Sequence, residues 1–429
     1  MKGAIKETRF ENGMVVLSDA MADVRSATLG FFFRVGSRDE PAELNGISHF
    51  IEHTVFKGTA NRSAREIAFE SDRLGGSLDA FTTHEETGFA IKVIDECLGP
   101  AFDLIADILV NPCFDKSDLE SEKRVIIEEI KMMDDSPEEL LGDIFHREFF
   151  PGHPLGMPIA GLPETVRSFG LESTRAYHRR AFCPANMIIA AAGNVDHEEL
   201  LRLAEKYGLT EARDEAPLQP CGSGPKIAAP FVIHNKPELE QAHFILAFPF
   251  IAAADERRYA GEILANLVGG GTSSRLWQKI REERGLAYSV GATVSLFRDC
   301  GIFSVYAGTS PEQIEEVIAI ALDELKSVAD SGISADELRL MKDQMRTAVI
   351  LGLEDSSNRA AALAHNEMVH GRQITVAETL EKIEAVSLDD VRRLAREFFK
   401  TENIALAAIG ALDKLNLNRH RQSQNRKHR

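Results

Sequence analysis

Phe182-Cys-Pro-Ala-Asn-Met-Ile-Ile-Ala-Ala-Ala-Gly-Asn-Val195 is echoed 217 positions later by Phe399-Lys-Thr-Glu-Asn-Ile-Ala-Leu-Ala-Ala-Ile-Gly-Ala-Leu412. Each stretch reads as a short buried strand, Met187–Ala192 and Ile404–Ile409, and each closes one half of the chain. Working outward, Asp134-Asp-Ser-Pro137 is matched by Glu354-Asp-Ser-Ser357. Thr87-Gly-Phe-Ala-Ile-Lys-Val93, followed by helical Leu98–Val110, is matched by Gly301-Ile-Phe-Ser-Val-Tyr-Ala307, followed by helical Pro311–Val328. Segments recurring in one order at offsets of 214–220 mean that one domain is written twice.

Within each copy an alternating strand pair (Met14–Leu17 and Thr28–Val35; Phe231–His234 and His243–Phe248) precedes a helix, a hairpin-like pair, several long helices and the final strand. Strands at both ends with helices between them predict an α+β fold: a mixed, largely antiparallel sheet covered by helices on one face. Glu211–Pro230 has no helical or strand period and is dense in Pro, Gly and Ala, so it reads as the linker. The expected division is residues 1–212, a linker at 213–230, a second domain at 231–417, and a basic, disordered tail at 418–429.

The 429 residues carry 49 basic and 67 acidic side chains, a net −18. Five of the basic residues lie in 418–429, so residues 1–417 carry 44 − 67 = −23. A body that acidic repels phosphate backbones and argues against nucleic acid as the main partner. The tail suits either an RNA or acidic surface or a solvated terminus. No apolar run approaches the roughly 20 residues needed to span a bilayer, so an integral membrane protein is not expected. The N-terminal residues pass into Asn12-Gly13 and a strand without an apolar signal region, an expectation of a bacterial-type cytoplasmic protein. Cys97, Cys113, Cys183, Cys221 and Cys300 are scattered and form no C-x-x-C, as expected of mostly buried free thiols.

The chemistry concentrates in His49-Phe-Ile-Glu52-His53. On a helix His49 and His53 stand one turn apart on one face, with Glu52 about 60° from the first and about 100° from the second. Two imidazoles can hold one divalent ion with a carboxylate beside its open position, the inverted form of the H-E-x-x-H motif. On spacing alone, a helix with two half-buried histidines fits equally well.

A hydrolytic zinc site needs a third ligand, and Lys116–Met133 supplies candidates. With Glu122 at 0°, Leu119, Val125, Ile126, Glu129, Ile130 and Met133 all fall within about 80° on its face, whereas Glu128 does not. Carboxylates in an apolar stripe cost several kcal/mol without a counter-charge, so Glu122 and Glu129 are expected to face a cation.

The H-x-x-E-H motif, Glu129 lying 76 positions after His53, and Glu122 one heptad earlier resemble the pitrilysin/insulinase/mitochondrial-processing-peptidase family of zinc metallopeptidases, in its half-length bacterial form. Lys57-Gly-Thr59, Gly75-Gly-Ser-Leu-Asp-Ala-Phe-Thr82, Asn111-Pro112, His153-Pro-Leu-Gly156, Asn186 and Gly193-Asn194 extend the likeness over nearly the whole chain. The resemblance implies that His49, His53 and Glu129 bind one zinc ion per chain, that Glu52 is the general base toward water, and that Glu122 is a supporting carboxylate. It also implies that the run holding Asp79, Ala80, Phe81 and Thr82 is an edge strand pairing with a peptide substrate, although periodicity alone fits an inner hairpin strand equally well. His84 reads as a substrate-lining or structural histidine rather than a ligand.

The second copy has Tyr259-Ala-Gly-Glu-Ile-Leu-Ala-Asn-Leu-Val268 where the first has its motif, so no second site of this kind is expected. Gly269-Gly-Gly271 lacks the G-K-[ST] of a phosphate loop. Arg281 and Tyr288 resemble the family's R-x6-Y element, which stabilises substrate and the tetrahedral oxyanion, while the residues alone suit a surface Arg/Tyr pair. In double-length relatives the two kinds of domain occupy opposite halves of a clamshell, so this chain is expected to form half of one. The expected partner is a second copy, a homodimer with Arg281 and Tyr288 supplied in trans, or else a non-catalytic paralogue. The expected function is a zinc endopeptidase acting on short or unfolded polypeptides, basic ones favoured if the acidic body lines the chamber. A non-catalytic assembly subunit of the same family is the alternative.

Overall fold

The structure, a computed structural model, describes residues 5–76, 78–211, 216–222 and 224–413. The basic tail lies outside the described residues, as do residues 77, 212–215 and 223. The described residues form two compact units, one drawn from 5–132, 157–222 and 350–374, the other from 133–156, 224–349 and 375–413.

The first unit holds β1 (Ile5–Arg9), β2 (Val15–Ala20), β3 (Ser26–Phe33), β4 (Leu78–Thr82), β5 (Thr87–Ile94) and β6 (Met187–Gly193) in the order β1-β2-β6-β3-β5-β4. The second holds β7 (Phe231–Asn235), β8 (Ala242–Phe250), β9 (Ala287–Leu296), β10 (Gly301–Thr309) and β11 (Ala405–Gly410) in the order β7-β11-β8-β10-β9. Without β1 the orders correspond strand for strand. Each sheet has one parallel pair, β2 with β6 (Val16 opposite Ile189) and β7 with β11 (Val232 opposite Ala407), and its other neighbours are antiparallel. The mixed, largely antiparallel α+β fold read from the repeated strand is the fold observed.

In the first unit, Leu29, Phe31 and Phe33 of β3 and Phe89 and Ile91 of β5 point into a core roofed by the helix Leu98–Val110, where Phe31 meets Phe102 edge-on at 5.0 Å. In the second, Phe244, Leu246 and Phe248 of β8 face the helices Arg258–Gly269, Ile314–Ser331 and Leu388–Phe398.

The expectation of helices on one face is incomplete. The helix Ser356–His370 lies on the other face of the first sheet, its Leu363 and Ala364 packed with Val15, Leu17, Phe32, Ile188 and Ala190. The helix Pro137–Phe149 covers the corresponding face of the second, with Leu141, Phe145 and Phe149 against Ala247, Ala405, Ala407 and Ile409. Each helix comes from the half of the sequence that builds the other sheet, so the compact units do not follow a single cut at the linker. Every residue of β6 is buried, as an apolar run without alternation requires when both faces are covered. The repeated Asp-Ser segments start these helices: Asp355 caps Ser356–His370 and accepts the Ser357 N–H at 2.6 Å, while Pro137–Phe149 is capped one position later in the repeat, at Ser136, without a side-chain bond.

Among the described residues all five cysteines are free, with Cys183 and Cys300 buried and Cys97, Cys113 and Cys221 only partly so, fewer than expected. No described helix is long and apolar enough to cross a membrane.

Candidate metal centre

The helix Ile47–Thr54 buries Ile47, Ser48, Phe50, Ile51 and Thr54 and leaves His49, Glu52 and His53 half-buried on its other side. Its start is tightly specified. Gly46 has φ 92°, and a Cβ there would meet the Cα of Gly161 at 2.6 Å, so only glycine fits. Glu40 accepts the N–H groups of Gly46 and Ser48, both at 2.7 Å, as a buried carboxyl cap on the first turn. Burial pushes the Glu40 carboxyl up to about 8, while these N–H donors pull the other way.

The helix Lys116–Asp135 brings in the carboxylates. Leu119, Ile126 and Ile130 centre its buried stripe, with Glu122 at the stripe's edge and only 4% exposed. Val125, expected on the same face, is 48% exposed. It lies about 120° from the centre of that stripe, against about 60° for Glu122, so the apolar face is narrower than the periodicity suggested.

His49, His53 and Glu129 converge, their candidate ligand atoms all within 4.8 Å of one another. Both Nε2 atoms lie 3.7 Å from the same Glu129 oxygen, Oε2. That is too long for a hydrogen bond. It is near the separation of about 3.3 Å between ligand atoms in a tetrahedral zinc site with bonds of about 2.05 Å. The Glu129 side chain is 41% exposed, yet Oε2 itself is buried and has no hydrogen-bond partner. An orphaned carboxylate oxygen facing two imidazoles suits a divalent cation. Burial, then the charge of His53, lowers the His49 imidazole to about 4, which keeps it in the neutral form a ligand requires.

Glu122 stands behind this group. Its Oε2 is 3.4 Å from His53 Nδ1, and its Oε1 pairs with Lys57 Nζ at 2.8 Å. Lys57, quoted above only as part of a shared segment, is the partner that sequence reasoning missed. On the other side, Thr82 donates to Glu52 Oε2 at 2.6 Å. Burial raises the Glu52 carboxyl above its ordinary range, and the Thr82 hydroxyl opposes that shift.

Thr82 ends β4, which among the described residues pairs with β5 alone and is the edge of the first sheet, so the edge alternative is the one observed. Asp79, Ala80 and Phe81 precede it there, with Asp79 and Phe81 exposed. His84 is outside the converging group and shares a hydrogen bond with Ser37 Oγ at 2.9 Å.

Arg281 and Tyr288 belong to the second unit and meet each other. The Arg281 guanidinium lies 4.6 Å from the Tyr288 ring and 4.1 Å from the Trp277 ring, and donates to the Tyr288 carbonyl at 2.8 Å. Arg281 sits in a π-helical turn, Trp277–Glu282, and Tyr288 at the start of the edge strand β9, 79% exposed. Trp277 thus gives the guanidinium a second aromatic contact, which the spacing did not reveal.

Comparison with known proteins bears on the family of the chain. Residues 15–162 match the family model described as insulinase (peptidase family M16), and residues 168–345 match that of the peptidase M16 inactive domain. An uncharacterized zinc protease of Streptomyces coelicolor is 39% identical over 96% of this chain and 90% of its own length. Another, of Bacillus subtilis, is 37% identical over 94% of this chain and 98% of its own. Among solved structures, a protease from Helicobacter pylori superimposes with a TM-score of 0.88 at 22% identity, covering 95% of this chain and all of its own. A chain of complex III2 from Candida albicans does so at 0.83 and 21%, covering 98% of this chain and 99% of its own.

Proposed function

Because the chain belongs to the insulinase (M16) peptidase family, we propose that it is a zinc-dependent endopeptidase that hydrolyses short or unfolded polypeptides bound along β4. The observation that carries this reading is the convergence of His49, His53 and Glu129 on one point, with Glu129 Oε2 buried and unpartnered. A zinc ion held by these three side chains supplies Lewis-acid polarisation of a carbonyl and acidification of water.

The remaining work falls to the chain itself. Glu122 is placed to accept the Nδ1 proton of His53, which leaves Nε2 as the ligand atom, and Lys57 holds Glu122 in that position. Glu52, one oxygen tied to Thr82, offers its other oxygen to take a proton from water and return it to the leaving amine. The free main-chain groups of β4 can pair with a substrate backbone, which confers affinity with little demand on sequence. Arg281 and Tyr288 suit the developing oxyanion, supplied by a second copy of this chain or, failing that, by a non-catalytic paralogue.

A second reading, a non-catalytic assembly subunit, finds support in the match of residues 168–345 to a domain described as inactive. Among the described residues the second unit has no metal-competent group, which accounts for that match without making the chain inert. Chelation separates the two readings. Cleavage of an unstructured peptide, lost on treatment with chelator and restored by about one equivalent of zinc, is expected of the enzyme, and no cleavage with zinc bound is expected of the subunit.

A further inference from the structure

A polypeptide added to β4 must alternate as β4 does. Leu78, Ala80 and Thr82 lie on the face that carries the motif helix, opposite Ile91, Phe89 and Thr87. Asp79 and Phe81 lie on the other face, opposite Ala90 and Gly88. Every second side chain of an added strand therefore points away from the metal ligands and toward the side covered by Ser356–His370.

That side is hollow near the edge. The helix Ser356–His370 packs chiefly on β2, β3 and β6 and presents Ala360, Ala361 and Ala364 toward a cavity of about 660 Å³. This is the size of ligand pockets in general. Phe32 and Phe81, 6.4 Å apart by ring centroids, form an apolar wall. Glu86 also lines the cavity, and burial together with the like charge of Glu85 raises its carboxyl above the ordinary range. Among the described residues its carboxylate has no cationic partner. The single lysine of the lining, Lys92, is instead paired with Asp355 at 3.0 Å. A half-buried carboxylate beside an apolar wall is complementary to a long side chain with an aliphatic stem and a cationic head.

We propose that this cavity is a specificity subsite for a lysine or arginine side chain on the far face of a polypeptide paired with β4, an inference that rests on reading β4 as the substrate strand. Asp79 is also in the lining. The selectivity belongs to the side of the strand remote from the reacting bond, so it sorts polypeptides by alternate residues and leaves the choice at the bond itself to other groups.

The test is a set of otherwise neutral, extended fluorescent peptides in which one lysine is moved position by position. Binding is measured to the Glu52→Gln protein, and cleavage to the wild type. The expected result is a roughly tenfold gain in affinity for lysine over norleucine at positions two residues apart. That ratio should collapse toward one when Glu86→Gln, or the cavity-filling Ala361→Leu, is added, with circular dichroism unchanged. A ratio near one in the parent protein, a preference without two-residue periodicity, or a ratio indifferent to both substitutions overturns the subsite. If binding shows the periodic, Glu86-dependent preference while no peptide is cleaved by the wild type, the subsite stands and the peptidase reading falls.

Discussion

Thr82, on the edge strand, donates its hydroxyl to Glu52 Oε2 of the motif helix at 2.6 Å. The strand offered to a substrate and the proposed base are thus joined by one hydrogen bond, and packing between β4 and the helix Ile47–Thr54 supports it. On the proposed function, a chain pairing with β4 would order the strand that holds Glu52 through Thr82 and would so couple binding to proton transfer.

Thr82→Val keeps the shape of the side chain and removes the donor. A hydrogen bond to a charged group contributes about 1.5–3 kcal/mol, so kcat is expected to fall about 10- to 100-fold with zinc content unchanged. Thr82→Ser should recover most of it. Steady-state kinetics beside metal analysis check this, and an unaltered kcat in the valine variant would refute the link.

Lys57 and Glu122 meet at 2.8 Å behind His53. Lys57→Met leaves Glu122 buried without its ammonium partner, 3.4 Å from the His53 imidazole. Outer partners of this kind typically contribute 10- to 100-fold in metal affinity. Competition with a chromophoric chelator should show a zinc loss of that order for Lys57→Met and a smaller one for Lys57→Arg.

Asp143, in the helix Pro137–Phe149, is pushed up to about 6 by burial and then by the charge of Asp134, against 3.8 for the ordinary carboxyl. The folded protein therefore holds this proton more tightly than the unfolded chain. The resulting stability is fully present below about pH 4 and is lost as pH rises through about 6. Asp143→Asn should make the zinc-free protein more stable than wild type at pH 7, by at most about 3 kcal/mol, and flatten the curve between those pH values. Denaturant titrations at pH 4, 5, 6 and 7 measure this.

Local periodicity made much of the fold and site legible in the sequence. His49 and His53 meet because a helix brings fourth neighbours together, and Glu129 was visible because a carboxylate near an apolar stripe is costly. The repeated strand revealed the duplication because both faces of β6 and of β11 are buried, which leaves an alanine-rich apolar run that recurs. Pairings between distant segments left no such trace. Lys57 reaches Glu122 across 65 positions, and Thr82 reaches Glu52 across 30. The exchange of Pro137–Phe149 and Ser356–His370 between sheets was hidden for the same reason, although their echoed Asp-Ser starts marked them as equivalent. Val125 was misplaced because a single helix cannot say where its own stripe is centred.

The proposed division of labour has Glu52 moving the proton while His49, His53 and Glu129 hold the metal. It is tested most directly by metal content and peptide cleavage measured together on Glu52→Gln. About one zinc per chain is expected in both proteins, with cleavage lower by about 10²- to 10⁴-fold in the variant. Zinc absent from the wild type, or Glu52→Gln cleaving as fast as the wild type, would contradict it.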